Sequence, residues 1–148
     1  LAQQRGDEVI RLEAKPSFAN LIVWKIVYET EHHYQVDAVR VAIGQRFYPG
    51  RQVEKLDIGR DLPWLNPDSQ QARDIERFRW FSNGYIAKDP DNPLRVIDIR
   101  YSMIPNEIRA LWSIELSPGA GPLDHVRYIT DRSNSSEGSK VFRSMLFD

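Results

Sequence analysis

Histidine, the carboxylates and arginine are the side chains here that could do chemistry. Histidine occurs three times, and there is no cysteine. Disulfides, thiolate zinc centres and cysteine nucleophiles are thereby excluded. His32 and His33 are neighbours, and His125 lies far along the chain. Adjacent residues on extended backbone point to opposite faces, so His32 and His33 are poorly placed to chelate one ion. No HExxH or HxH spacing is present, and the three read as exposed loop histidines. Asp57, Asp61 and Asp68 could offer oxygens to a hard cation, but no EF-hand spacing links them. Asp89 and Asp91 flank Pro90 and read as turn chemistry. There is no GxSxG elbow and no P-loop. Gly119 and Gly121 lie between two prolines rather than between a strand and a helix, so they form no phosphate cradle. Asn134-Ser135-Ser136 fits a glycosylation sequon.

The densest constellation runs from residue 74 to residue 101. Arg77, Arg79 and Trp80 fall on or beside one predicted helix. Asp98 and Arg100 share a strand face with Val96, while Ile97, Ile99 and Tyr101 share the other. An Asp–Arg pair on an otherwise apolar sheet needs partners, and Glu107 and Glu115 are available to the arginines. Two readings stay open. One is an acidic–basic pocket for an anionic ligand, suited to arginine's planar fork of donors. The other, the plainer, is a network fixing the helix on the sheet. The residues singled out are Arg79, Trp80, Asp98, Arg100, Tyr101, Asn106 and Glu107, with no metal ligand and no catalytic residue among them. A self-contained hydrolase is the rival class, and it requires Asp98, Glu107 and Glu115 to converge in one open cleft. A third class is an interaction module using an exposed sheet edge or the 141–147 tail.

These residues need elements to hold them. Alternation predicts a strand over 9–14, with Ile10, Leu12 and Ala14 on the apolar face and Arg11 and Glu13 on the wet one. Residues 20–29 are apolar on both faces apart from Lys25, which predicts a central strand. A hairpin returns through 34–43, with Val39, Val41 and Ile43 inward. A short strand is expected over 52–56. Asp68 or Ser69 caps a helix over 70–80, with Ala72, Ile75 and Phe78 buried and Arg73, Asp74, Glu76 and Arg77 outward. Strands follow over 85–88, 95–101, 110–116 and 126–130, separated by turns at 89–93 and 117–122. Short turns favour antiparallel pairing. The class is therefore α+β: a mainly antiparallel sheet with one central helix packed on it and a candidate short C-terminal helix built on Val141, Phe142, Met145 and Leu146.

The organisation expected is a helix tail or linker over 1–7, closed by Gly6, a single domain over 8–131, and a polar linker with a short helix over 132–148. The chain opens on Leu1, which implies a segment removed upstream. A length of 148 residues suits one domain with a real core. The net charge of -1 argues against a nucleic-acid partner, which needs a basic field. No run approaches the ~20 apolar residues of a membrane span.

Four stretches, residues 13–20, 36–40, 77–85 and 98–107, together resemble one family. Their sequences are EAKPSFAN, VDAVR, RFRWFSNGY and DIRYSMIPNE. The chain is similar to the C-terminal soluble half of the predicted inner-membrane metal-dependent hydrolases of bacteria, a family grouped with a LexA-regulated member. The resemblance spans about 12–132. It implies an accessory domain tethered to the bacterial inner membrane. The partner implied is the membrane-embedded N-terminal half of the same protein, where the family's histidine motifs and any divalent metal would reside. The oligomeric state stays open, a homo-oligomer among the options. No catalytic or metal residue carries over to any position of this chain.

Overall fold

A computed structural model of the chain describes residues 1–17, 21–42, 44–133 and 136–147. Two antiparallel sheets form its centre. The first orders β1 (Arg11–Pro16), β2 (Val23–Glu29), β3 (His33–Ala42) and β4 (Gly44–Tyr48) side by side, and β5 (Gln52–Glu54) also pairs with β3. The second orders β6 (Ile86–Asp89), β7 (Asn92–Asp98), β8 (Trp112–Glu115) and β9 (Arg127–Thr130). A Lys55–Ala87 bridge joins the two.

Among the described residues there are four helices: α1 (Ala2–Arg5), α2 (Ile58–Asp61), α3 (Gln70–Phe81) and α4 (Ser136–Phe147). The α+β class with antiparallel pairing therefore holds, whereas one sheet bearing one central helix does not. The second sheet is covered on both sides. Ala87, Ile97 and Ile99 pack on Val27, Tyr34 and Val36 of the first sheet. Ile86, Val96 and Ile114 pack on Ile75 and Phe78 of α3. The α4 helix covers the near end of the first sheet, where Met145 meets Val23 and Ala38.

The termini of α3 follow their sequence signals. Ser69, not Asp68, is the cap: its Oγ accepts the Ala72 N–H at 3.2 Å. At the other end Gly84 adopts φ 79° and its N–H reaches the Arg79 carbonyl at 2.8 Å. That left-handed conformation suits glycine. Gly6 closes α1 in the same way. Asp57 is a cap as well, accepting the Arg60 N–H at the start of α2.

Three facing assignments are reversed. Leu12 and Ala14 point to solvent, while Arg11, Glu13 and Lys15 turn toward the second sheet. These inward polar groups have partners: Arg11 pairs with Glu29 and lies 4.0 Å from the Tyr85 ring centroid, and Glu13 accepts from Asn83. Val39 and Val41 also face outward, on the side of Trp24 and Ile26. Asp74 is buried rather than exposed. In addition β7 stops at Asp98, so Ile99 and Arg100 lie in a turn. Residues 18–20 of the first family-like stretch, Ile43, and Asn134 and Ser135 of the sequon fall outside the described residues.

Candidate functional site

The last turn of α3 carries Trp80, 85% exposed, with Phe81 half-exposed beside it. An aromatic chain runs inward from there. The Phe81 ring stacks on Phe78 at 6.1 Å and meets Trp112 edge-on at 5.9 Å, and Trp112 meets Tyr101 at 4.8 Å. Tyr128 closes the group against Phe78 at 6.5 Å. Arg73, Glu76, Arg77, Trp80 and Phe81 line a shallow open depression on the outer face of the helix.

Asp98 and Arg100 lie beneath this surface. The carboxylate is 0% exposed and accepts from Arg100 Nε at 3.0 Å and Nη2 at 2.7 Å, and from the Arg100 backbone N–H at 3.0 Å. Nη2 also donates to the Phe81 carbonyl at 2.9 Å, and the guanidinium lies 5.2 Å from the Tyr101 ring centroid. Burial disfavours the Arg100 charge, but the bonds to Asp98 outweigh it and hold its pKa above the ordinary value. The pair is closed by its own bonds and clamps the chain after β7 to the end of α3, so it is not an open anion pocket.

Of the seven residues singled out from sequence, Arg79, Trp80, Asp98, Arg100 and Tyr101 belong to this region. Arg79 pairs with Glu76 at 3.3 Å on the helix surface. Asn106 and Glu107 are tied to the first sheet instead. Asn106 Nδ2 donates to the Pro49 carbonyl, and the Glu107 carbonyl accepts from Lys25 Nζ at 2.7 Å. Lys25, 3% exposed, also donates to Ser102 Oγ at 2.7 Å. Burial drives its pKa down to about 7, against the opposing pull of Asp98 and Glu107. Glu115 is bound by Arg95 and Arg127, whose hydrogen bonds hold its pKa below the usual carboxylate range. Asp98, Glu107 and Glu115 therefore do not converge in a cleft.

One constellation escaped the sequence. Asp74 accepts from Gln70 Nε2 at 2.9 Å and from the Val126 N–H at 3.2 Å, and lies 2.8 Å from His125 Nδ1. Burial pushes the Asp74 carboxyl up, but these hydrogen bonds prevail and its pKa is lowered. Together they latch the loop before β9 to α3. Residues 51 apart in sequence make this contact, and only the Gln70–Asp74 spacing on the helix hinted at it. Asp89 accepts from the Asp91 N–H, the turn role expected of it.

Among the described residues no group of three or more histidine, aspartate or glutamate side chains is placed to hold a metal ion. No described helix is long and apolar enough to cross a membrane. No family model matches the chain, and neither the curated proteins nor the solved structures give a match.

Proposed function

We propose that the chain is a recognition domain without catalytic machinery of its own, the accessory part of a membrane-bound metal-dependent hydrolase, held at the inner membrane by that partner. The end of α3 is its contact surface. The metal and the hydrolytic centre belong to the membrane-embedded half.

One observation carries this reading: a tryptophan 85% exposed, set on a rigid helix beside Phe81 and Arg77. Large aromatics and arginine dominate the energetics of protein contacts. Arg77 is available, its nearest carboxylate being Asp74 at 3.9 Å. Parts of three of the family-like stretches, 13–20, 77–85 and 98–107, meet near this surface. Asn83 donates to Glu13, Lys15 lies 5.8 Å from the Tyr101 ring centroid, and Arg100 reaches the Phe81 carbonyl.

The test is made in the membrane-bound assembly. Trp80→Ala combined with Arg77→Glu should leave the melting temperature nearly unchanged, since exposed substitutions cost within about 0.5 kcal/mol. It should lower association with the partner by about tenfold or more, as loss of a contact hot spot does. Unchanged association removes the surface from the proposal. A stoichiometric transition metal in the purified chain, read by elemental mass spectrometry, overturns the assignment of the metal centre to the other half.

A further inference from the structure

The face of the first sheet that meets the second sheet continues, at its near end, beneath α4. Val23, Arg40 and Arg46 form one row there across β2, β3 and β4, and Lys25, Ala38 and Tyr48 form the next. Side chains two residues apart on a strand share a face, so both rows belong to the face that α4 covers. Phe142, Met145 and Leu146 of α4 pack with Val23, Ala38, Tyr48 and Ile104. Their i, i+3, i+4 spacing is that of a helix laid in a groove.

The arginines of this face are uncompensated. Arg40 and Arg46 stand directly opposite each other in the register, and like charges at facing positions are destabilising. The Arg40 Nε is buried without a hydrogen bond. Among the described residues neither arginine is paired with a carboxylate, whereas Arg100 has Asp98 and Arg95 has Glu115. β3 beyond Asp37 and the whole of β4 carry no acidic residue. Ser139, Val141 and Arg143, which border the apolar stripe of α4, offer no carboxylate either. The helix is also weakly tied down. Among the described residues one hydrogen bond joins it to the sheet, from Tyr48 Oη to the Met145 carbonyl at 3.3 Å, and no ion pair does. Gly138, Ser139, Val141 and Ser144 are poor helix formers, and a helix of 12 residues depends on its packing. An element held in this way opens at a smaller free energy than the core.

We infer that this face is a docking groove for an acidic amphipathic helix of a protein partner, and that α4 occupies it in the unpartnered chain. The groove takes apolar anchors at the spacing that α4 displays. Carboxylates on the flanks of the incoming helix meet Arg40 and Arg46, which α4 leaves unpaired. The partner therefore gains two ion pairs that the resident helix lacks, and it displaces α4 rather than adding to it. The inference is separate from the α3 surface and stands whether or not that surface recognises a partner.

The experiment has two readings on the full chain. By hydrogen-exchange mass spectrometry, α4 should exchange well before α3. Fluorescence anisotropy then compares two labelled peptides: the α4 sequence 136–147, and the same peptide with Ser139→Glu, Val141→Glu and Arg143→Glu. Met145→Asp undocks the resident helix and should raise the affinity for the acidic peptide by about tenfold or more, since the open groove becomes the populated state. That variant should prefer the acidic peptide to the plain one by about tenfold, and the preference should shrink as salt is raised. Adding Arg40→Gln and Arg46→Gln should remove it. Phe142→Ser is the milder opening variant should Met145→Asp fail to fold, and it should move affinity in the same direction. Exchange of α4 as slow as that of α3, equal binding of the two peptides by the opened chain, or a preference that survives loss of both arginines overturns the inference. So does a dimer of the parent chain lost on Met145→Asp, which would make α4 of a second copy the occupant.

Discussion

Asp98 and Lys25 are the two buried charges whose environments decide most about this chain. Asp98 gives its carboxylate to Arg100 and to nothing that approaches from solvent. Removing one partner leaves the other charge buried and alone. Asp98→Ala should therefore cost about 3–5 kcal/mol in urea unfolding. A loss below about 1 kcal/mol would mean that the pair contributes little to the fold. Lys25 works in the opposite direction. Its pKa falls from 10.5 to about 7 on folding because its ammonium leaves water. Between those two values the unfolded chain holds a proton that the folded chain does not, so stability rises with pH across this window. Below about pH 7 both states are charged and the full burial cost is present. Urea unfolding at a series of pH values should show this slope for the parent, and Lys25→Met should flatten it. A slope that survives the substitution would assign the titration to another group. The sequence marked Lys25 as the interruption of an apolar strand and Asp98 as one half of a pair. It did not show that Ser102 and the Glu107 carbonyl would receive the lysine, because those contacts span more than 75 residues.

At the scale of elements, α3 was the most legible. Its apolar spacing, cap and closing glycine all lie within a short stretch of chain, and local signals of this kind need no tertiary knowledge. Ser69→Ala should cost about 1 kcal/mol in chemical unfolding, and a neutral effect would show that packing of Ile75 and Phe78 alone holds the first turn. Asp74 was misplaced because helical spacing sets it beside charged neighbours, whereas the 122–126 loop folds back and covers it. The facing of β1 and of the second half of β3 was inverted for a related reason. Alternation says which residues share a face, and only the neighbouring layer says which face is covered. Here the layer that covers the first sheet accepts Arg11 and Glu13 through Asn83 and Tyr85. Leu12 and Val41 are left in water.

At the scale of the whole molecule, the second sheet is common to two apolar clusters. One of its faces serves the first sheet and the other serves α3. Neither cluster can lose that sheet and keep its packing. Thermal unfolding should therefore follow a single transition, with tryptophan fluorescence and far-ultraviolet circular dichroism superimposable. The probes are well distributed: Trp24 lies in the first sheet, Trp112 in the second, and Trp80 on α3. Two separate transitions would mean that the sheets fold as independent units.

From the order of residues alone came the α+β class, the antiparallel pairing and the position of α3, with its N-cap narrowed to Asp68 or Ser69. All of these rest on periodicities and turn residues within short spans. The tertiary structure alone decided that there are two sheets rather than one, that Asp98 and Arg100 close on each other, and that Asn106 and Glu107 belong to the first sheet. Each of those outcomes depends on which distant segments come into contact, and long-range contact is set by how whole layers pack rather than by any local pattern.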